Sequence, residues 1–317
     1  MATLQPKPKI IRQKFPSQPI LLYRGSAELI DGENIIEGKA FIQIYWYPFP
    51  YISVKFVYSG ENFGDDIELK LTDFSSKSRV KVHLSRGLIY ENTKREVFGC
   101  LKESLIQGRT DNLSSVTFQI ANFLRFDISN EYDFEYDEEG NETEVYRESW
   151  RFFNGQLIFD YDNWHIVLAD LGNSNKIQDR LEAEGGYGIT HICKVERSDG
   201  KTFDLNEGYK IIDAFIYYLS FVRGIWIAPL LLFGFDAEGN KILEEWRTPT
   251  IKADSWQSFF YSWTRDDIES VYGFPGFMKK WQDEKWQEVI QNYIQWYIES
   301  SKHTNGYNTS IVLVHSA

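Results

Sequence analysis

The sequence predicts an α+β fold: an antiparallel β-sandwich or barrel-like N-terminal half, then an α+β half ending in a long amphipathic helix. Three observations carry that expectation. Short runs rich in β-branched and aromatic residues recur from about residue 21 to 170, separated by turn residues. After Leu171 the pattern changes, and segments of helical spacing alternate with short apolar runs. The chain has 317 residues, 43% of them hydrophobic and 16% aromatic, which is enough apolar surface to build a sizeable core rather than stay disordered. The organisation read from these shifts is an extended tail over residues 1–20, a β-rich domain over 21–170 and an α+β domain over 171–317.

In the β-rich part, Ile35–Tyr47 is a strand by composition, and Pro48 and Pro50 end it. Tyr51–Tyr58, Asp66–Thr72, Arg79–Leu84 and Ser115–Leu124 continue the series. Val80, Val82 and Leu84 alternate with Lys81 and His83, the pattern of a half-buried strand. Asn154-Gly155 between Trp150–Phe153 and Gln156–Tyr161 marks a hairpin. The acidic run from Asp133 to Glu144 has the length of a calcium loop, but Glu138 stands where the sharp turn needs glycine, so it reads as a solvated hairpin.

In the second half, Ser174–Glu184 reads as a short polar helix stopped by Gly185-Gly186, and Gly188–Arg197 as a strand. Asp204 and Glu207 have capping-box spacing and start a helix that places Ile212, Phe215, Ile216, Leu219 and Val222 on one face. Arg223-Gly224 stops it, so the apolar stretch from Ile211 to Phe235 is a helix and then a strand, each too short to span a membrane. Lys241–Trp246 is a further strand. Phe277 to about Lys302 is the longest helix, with Trp286, Val289, Ile290, Tyr293 and Tyr297 recurring along it. The apolar run Ile311–Ala317 is expected to lead into a helical domain following Ala317.

Charge and composition exclude several functions. The net charge of −12 disfavours nucleic acid as a partner of this region alone, since phosphate binding requires clustered Lys and Arg. The one positive block, Lys7, Lys9, Arg12 and Lys14, reads as a solvated tail. The first thirty residues lack the apolar core of a secretory signal, and two cysteines, Cys100 and Cys193, cannot make a disulfide scaffold, so a cytoplasmic location is expected. No motif calls for a cofactor or a metal. Gly185-Gly186-Tyr187-Gly188 follows a helix and opens a strand, the reverse of a dinucleotide-binding loop. Asp160, Asp162 and Asp170 could serve as paired glycosidase carboxylates, but 46 acidic residues supply such pairs without meaning.

The strings Gly185–His191, Ser220–Trp226, Phe233–Asn240 and Phe274–Trp286 resemble an uncharacterised bacterial family similar to the β-rich N-terminal region of ApeA-like, HEPN-associated phage-defence proteins. The resemblance runs over about residues 110–317. It implies a recognition or sensor region that reports to a helical domain acting on RNA, in phage defence or stress response. The Arg and His that mark HEPN ribonucleases, with four to six residues between them, have no counterpart, because only three residues lie between Arg79 and His83, in a strand. No catalytic residue is therefore carried over.

Four positions are candidates for contact with a small ligand or a protein. Arg223 brings a planar fork to the end of an apolar helix, where its charge also suits the helix dipole. His191 shares a strand side with Cys193, although a histidine held by backbone is the simpler reading. Tyr187 lies in the Gly-rich turn, and Trp226 follows Arg223. The expectation is a non-catalytic recognition region of a larger protein, the alternative being part of an RNA-cleaving enzyme or another hydrolase.

Overall fold

The computed structural model describes residues 11, 13–59, 67–72, 79–90, 94–123, 132–136, 142–146, 156–171, 174–256 and 267–302. The expectations placed on Lys7, Lys9, Arg12, the Asn154-Gly155 turn and the run 311–317 lie outside them. The architecture is α+β, as the sequence predicts.

Strands β1 (Ile20–Asp31), β2 (Asn34–Tyr45), β3 (Tyr51–Tyr58), β4 (Ile67–Leu71), β5 (Arg79–Tyr90) and β6 (Lys94–Leu101) close a barrel in the order β1-β2-β3-β6-β5-β4. Alternation builds it: Ile52, Val54, Phe56 and Tyr58 face inward on β3, while Tyr51, Ser53, Lys55 and Val57 face out. Closure leaves this sheet without a free edge.

The chain then lays down β7 (Leu105–Gly108), β8 (Ser115–Ala121), β9 (Tyr132–Tyr136), β10 (Glu142–Tyr146), β11 (Gln156–Tyr161) and β12 (Trp164–Asp170). Helix α1 (Ser174–Glu184), β13 (Ile189–Arg197), α2 (Leu205–Arg223), β14 (Pro229–Phe235) and β15 (Lys241–Trp246) follow. Helices α3 (Asp267–Trp281) and α4 (Glu284–Lys302) come last. Strands β9 and β10 form an antiparallel pair, with Tyr136 opposite Glu142, in the region expected to be a hairpin. The other strands form one sheet in the order β11-β12-β13-β8-β14-β15-β7. Strands from both sides of residue 170 lie in it, so the change in sequence character is not a break in hydrogen bonding.

This sheet is covered on both faces. Ile192, Phe233 and Trp246 join the barrel's core, whereas Phe118, Phe159, Ile166 and Cys193 pack with α2 and α3. A strand buried on both sides cannot alternate apolar with polar, which is why β8 reads Ser-Val-Thr-Phe-Gln-Ile-Ala with all seven residues buried. Its polar members need partners inside: Gln119 donates to the Ile11 carbonyl at 3.1 Å and accepts from the Ile11 amide at 3.3 Å. Part of the expected N-terminal tail is thus tied to the central sheet.

Helix α2 keeps its predicted start and stop. Asp204 accepts from the Glu207 amide at 2.9 Å, and Glu207 accepts from the Asp204 amide at 3.1 Å. Gly224, at φ 73°, takes the left-handed conformation that ends the helix. Ile212, Phe215, Ile216 and Leu219 are buried as expected, and Val222 is half-buried. The strand predicted over Ile225–Phe235 begins only at Pro229.

The long C-terminal helix differs from expectation. It is two helices, and α3 begins at Asp267 and runs through Pro275. Proline removes a helical hydrogen bond, but Val271, Phe274, Met278 and Trp281 form a buried stripe against the α2 side of the sheet, and that packing sustains the helix. Asp283 makes the break, accepting from the Lys285 amide at 3.1 Å through its carboxylate. The buried face of α4 is also rotated from the predicted one: Ile294 and Ile298 are sealed, while Trp286, Val289 and Tyr293 are 46%, 54% and 38% exposed.

Candidate functional site

Three of the four predicted site residues converge on one segment, Ala253–Trp256, where barrel, sheet and α1 meet. Tyr187 is buried, and its hydroxyl lies 3.1 Å from the Ala253 carbonyl and 3.3 Å from the Pro48 carbonyl. Its ring stacks on Trp46 at 5.7 Å. Burial pushes its phenol up to about 12, with Asp254 and Tyr47 adding to the shift. Trp226 exchanges bonds with Asp254: its amide donates to the carboxylate at 2.8 Å, and its carbonyl accepts from the Asp254 amide at 2.8 Å. The Arg223 guanidinium lies 5.4 Å over Trp256, whose own amide donates to Gly186 at 2.6 Å. Desolvation brings Arg223 down to about 10, still protonated at neutral pH. Gly186, at φ +94°, admits the close approach of Ser17 on its other side, since a Cβ there would sit 2.6 Å from Ser17 Oγ.

His191 is placed elsewhere. It is fully buried, with its ring edge against Phe123 at 5.1 Å. The Phe123 amide donates to Thr190 Oγ1 at 3.0 Å, and His191 Nδ1 shares a hydrogen bond with the same hydroxyl at 2.9 Å. Burial lowers the imidazole to about 3, so it is neutral at physiological pH. Cys193, two residues on, lies on the same side of β13, in the cluster that also holds Phe123, and burial raises its thiol. Both groups are therefore sealed in apolar surroundings.

A different region is open and polar. A groove of about 560 Å³ lies where β12, β13 and the first turns of α2 meet the α3–α4 junction. Ile211, Met278 and Trp281 form an apolar floor, all of them buried. Trp164 is a half-buried wall, held edge-on against Phe203 at 5.0 Å. Arg197 is fixed beside it, donating to Asp199 through Nε at 2.8 Å and Nη2 at 2.6 Å, with its guanidinium 5.5 Å from the Trp164 ring. That pairing holds the Asp199 carboxyl well below the ordinary carboxylate range. Glu207, Lys210 and Asp213 line the groove from α2, and Gln282, Glu284 and Gln287 line it from the other side. Gln282 accepts from the Tyr161 hydroxyl at 3.0 Å, which ties the α3–α4 turn to the sheet.

None of the groove residues is a site candidate in the sequence; Glu207 stands out there only as half of a capping box. They come from positions as far apart as Trp164 and Gln287, and no local spacing connects them. The one available signal was the string ending in Trp281-Gln282-Asp283-Glu284, where polar residues with a helix-start signature follow a buried tryptophan. Among the described residues no group of three or more His, Cys, Asp and Glu is arranged to hold a metal ion. Among the same residues no helix is long and apolar enough to cross a membrane.

Fold and groove together define an α+β protein with a closed barrel on one face of a central sheet and a helix-bordered polar groove on the other. Residues 108–258 match a family model described as the YopA central domain, a span that holds most of the central sheet together with α1 and α2. Over 296 residues the chain is 25% identical to the SPbeta prophage-derived uncharacterized protein YopA of Bacillus subtilis (strain 168). That alignment covers 90% of this chain and 63% of the relative, so the chain spans less than two-thirds of the relative's length. No solved structure matches.

Proposed function

We propose that this chain is a non-catalytic, cytoplasmic recognition module of a phage-related protein, and that the groove between Trp164 and Trp281 receives its ligand. The observation that supports this reading is the groove's combination of an apolar floor with charged and amide groups left open to solvent. Nucleophilic or general-base chemistry would draw on residues such as His191 and Cys193, and both are enclosed with their neutral forms favoured. We take the groove as the ligand site rather than Tyr187, Arg223, Trp226 and His191, whose contacts join parts of the fold. We read that role as one in phage–host conflict, a reading that likeness to a prophage-derived protein supports. In such an arrangement α4, whose first turn borders the groove, carries occupancy to a helical domain.

Incubation of the purified protein with tRNA, single-stranded DNA and oligosaccharides tests the non-catalytic part. Unchanged substrates are expected, and turnover lost in His191→Gln would overturn the reading.

A further inference from the structure

Part of α4 is left open by the fold in a pattern of its own. Trp286, Val289, Tyr293 and Trp296 follow one another at intervals of three, four and three residues, the interval with which one helix presents a seam to another. All four are exposed, Trp296 by 52%, while Ile294 and Ile298 are sealed on a different side of the helix. Neighbours hold the stripe in place: Lys280 lies 4.6 Å over the Trp286 ring, and Tyr297, at the edge of the stripe, packs on Phe221 of α2 at 5.4 Å. Single exposed apolar residues need no explanation, but four on one seam present about 400 Å² of apolar surface, the scale at which a patch marks an interface.

We infer that this stripe is a pairing face for a second copy of the chain, with the two α4 helices antiparallel about a two-fold axis level with Gln291. In that register the stripe matches itself: Trp286 meets the partner's Trp296, and Val289 leaves room for the partner's Tyr293. The flank is complementary as well. Lys285, exposed at one end of the helix, comes alongside the partner's Glu299, exposed at the other, and symmetry makes the pair twice. Glu299 accepts from Gln295 at 3.0 Å through Oε1, so Oε2 is left for the lysine. A parallel pairing would instead bring Lys285 beside Ile290, where no charge answers it. An anionic membrane fits the stripe poorly, because Glu288 and Glu299 stand on the same open side. Two copies bury about 800 Å² of apolar surface in this way, which sets a weak dimer that forms and dissociates with concentration.

Sedimentation of the whole chain over a series of concentrations is the test, and a reversible dimer is expected. Val289→Glu puts two carboxylates into the seam and should raise the dissociation constant more than about tenfold, without harm to folding because Val289 is on the surface. Lys285→Glu and Glu299→Lys should each weaken the dimer by about threefold, and mixing the two variants should restore it, since both contacts are then between opposite charges. Chains that stay monomeric throughout, or a dimer indifferent to Val289→Glu, would overturn the inference. A dimer that is sensitive to Val289→Glu but not restored in the mixture would overturn the antiparallel register.

Discussion

Around Tyr187 and around Trp164 the protein uses the same kinds of residue to opposite ends. Both regions combine an arginine near a tryptophan ring with carboxylates and backbone amides. At Tyr187 the polar atoms are turned inward and meet carbonyls of remote segments, from Pro48 on the barrel side to Ala253. At Trp164 the arginine is held by Asp199 two residues away, and carboxylates beyond it stay open. A buried polar group is costly unless it is hydrogen-bonded, so the completed bonds of Tyr187, Trp226 and Asp254 stabilise the fold. An open one is free to exchange water for a ligand.

The largest effect that could break this comparison is at Tyr187. Tyr187→Ala removes a stacked ring and a buried hydroxyl, and should cost about 3–5 kcal/mol in denaturant unfolding. A loss under 1 kcal/mol would mean that the junction is not structural.

His191 sharpens the contrast through pH. Its folded value of about 3 lies below the ordinary 6.5, so the native state binds the proton less readily than the unfolded chain. The benefit of a neutral imidazole is complete above 6.5 and lost as pH falls toward 3, at about 1.4 kcal/mol per pH unit. His191→Gln should reduce the slope of stability against pH in that window, as unfolding curves at several pH values will show.

Glu245 carries the opposite sign. It is 2% exposed, and burial raises its carboxyl, with Ser104 and Arg247 opposing the shift. Its Oε2 has no hydrogen-bond partner among the described residues. The folded state favours the protonated acid, so stability declines as pH rises above the ordinary carboxyl range. Glu245→Gln should stabilise the protein by about 1 kcal/mol at pH 7, an advantage that fades at acid pH and is measurable by thermal unfolding.

Smallest of all is Lys210→Gln, expected within about 0.5 kcal/mol of the unaltered protein because Lys210 is exposed and makes no ion pair among the described residues. A much larger loss would give the groove a structural role after all.

How far the sequence reveals these regions follows from the range of the forces involved. Alternation and turn residues act locally, so β3 over Tyr51–Tyr58 and β15 over Lys241–Trp246 have the predicted ends. The capping box at Asp204 is likewise local and present. The start of α3 before Phe277 is missed, because the stripe of Val271, Phe274, Met278 and Trp281 that holds the helix through Pro275 is tertiary. The junction was partly legible: Tyr187, Arg223 and Trp226 meet through Ala253–Trp256, whereas His191 points into another core. The groove was not, since it exists only once β12, β13, α2 and the α3–α4 turn are assembled.

Hydrogen exchange on the whole chain tests the central claim most directly. Slow exchange is expected at residues 186–191 and 223–226, where polar groups are locked into the fold, and faster exchange at the α3–α4 turn beside the groove. The reverse order would make the region around Tyr187 the open one and contradict this account.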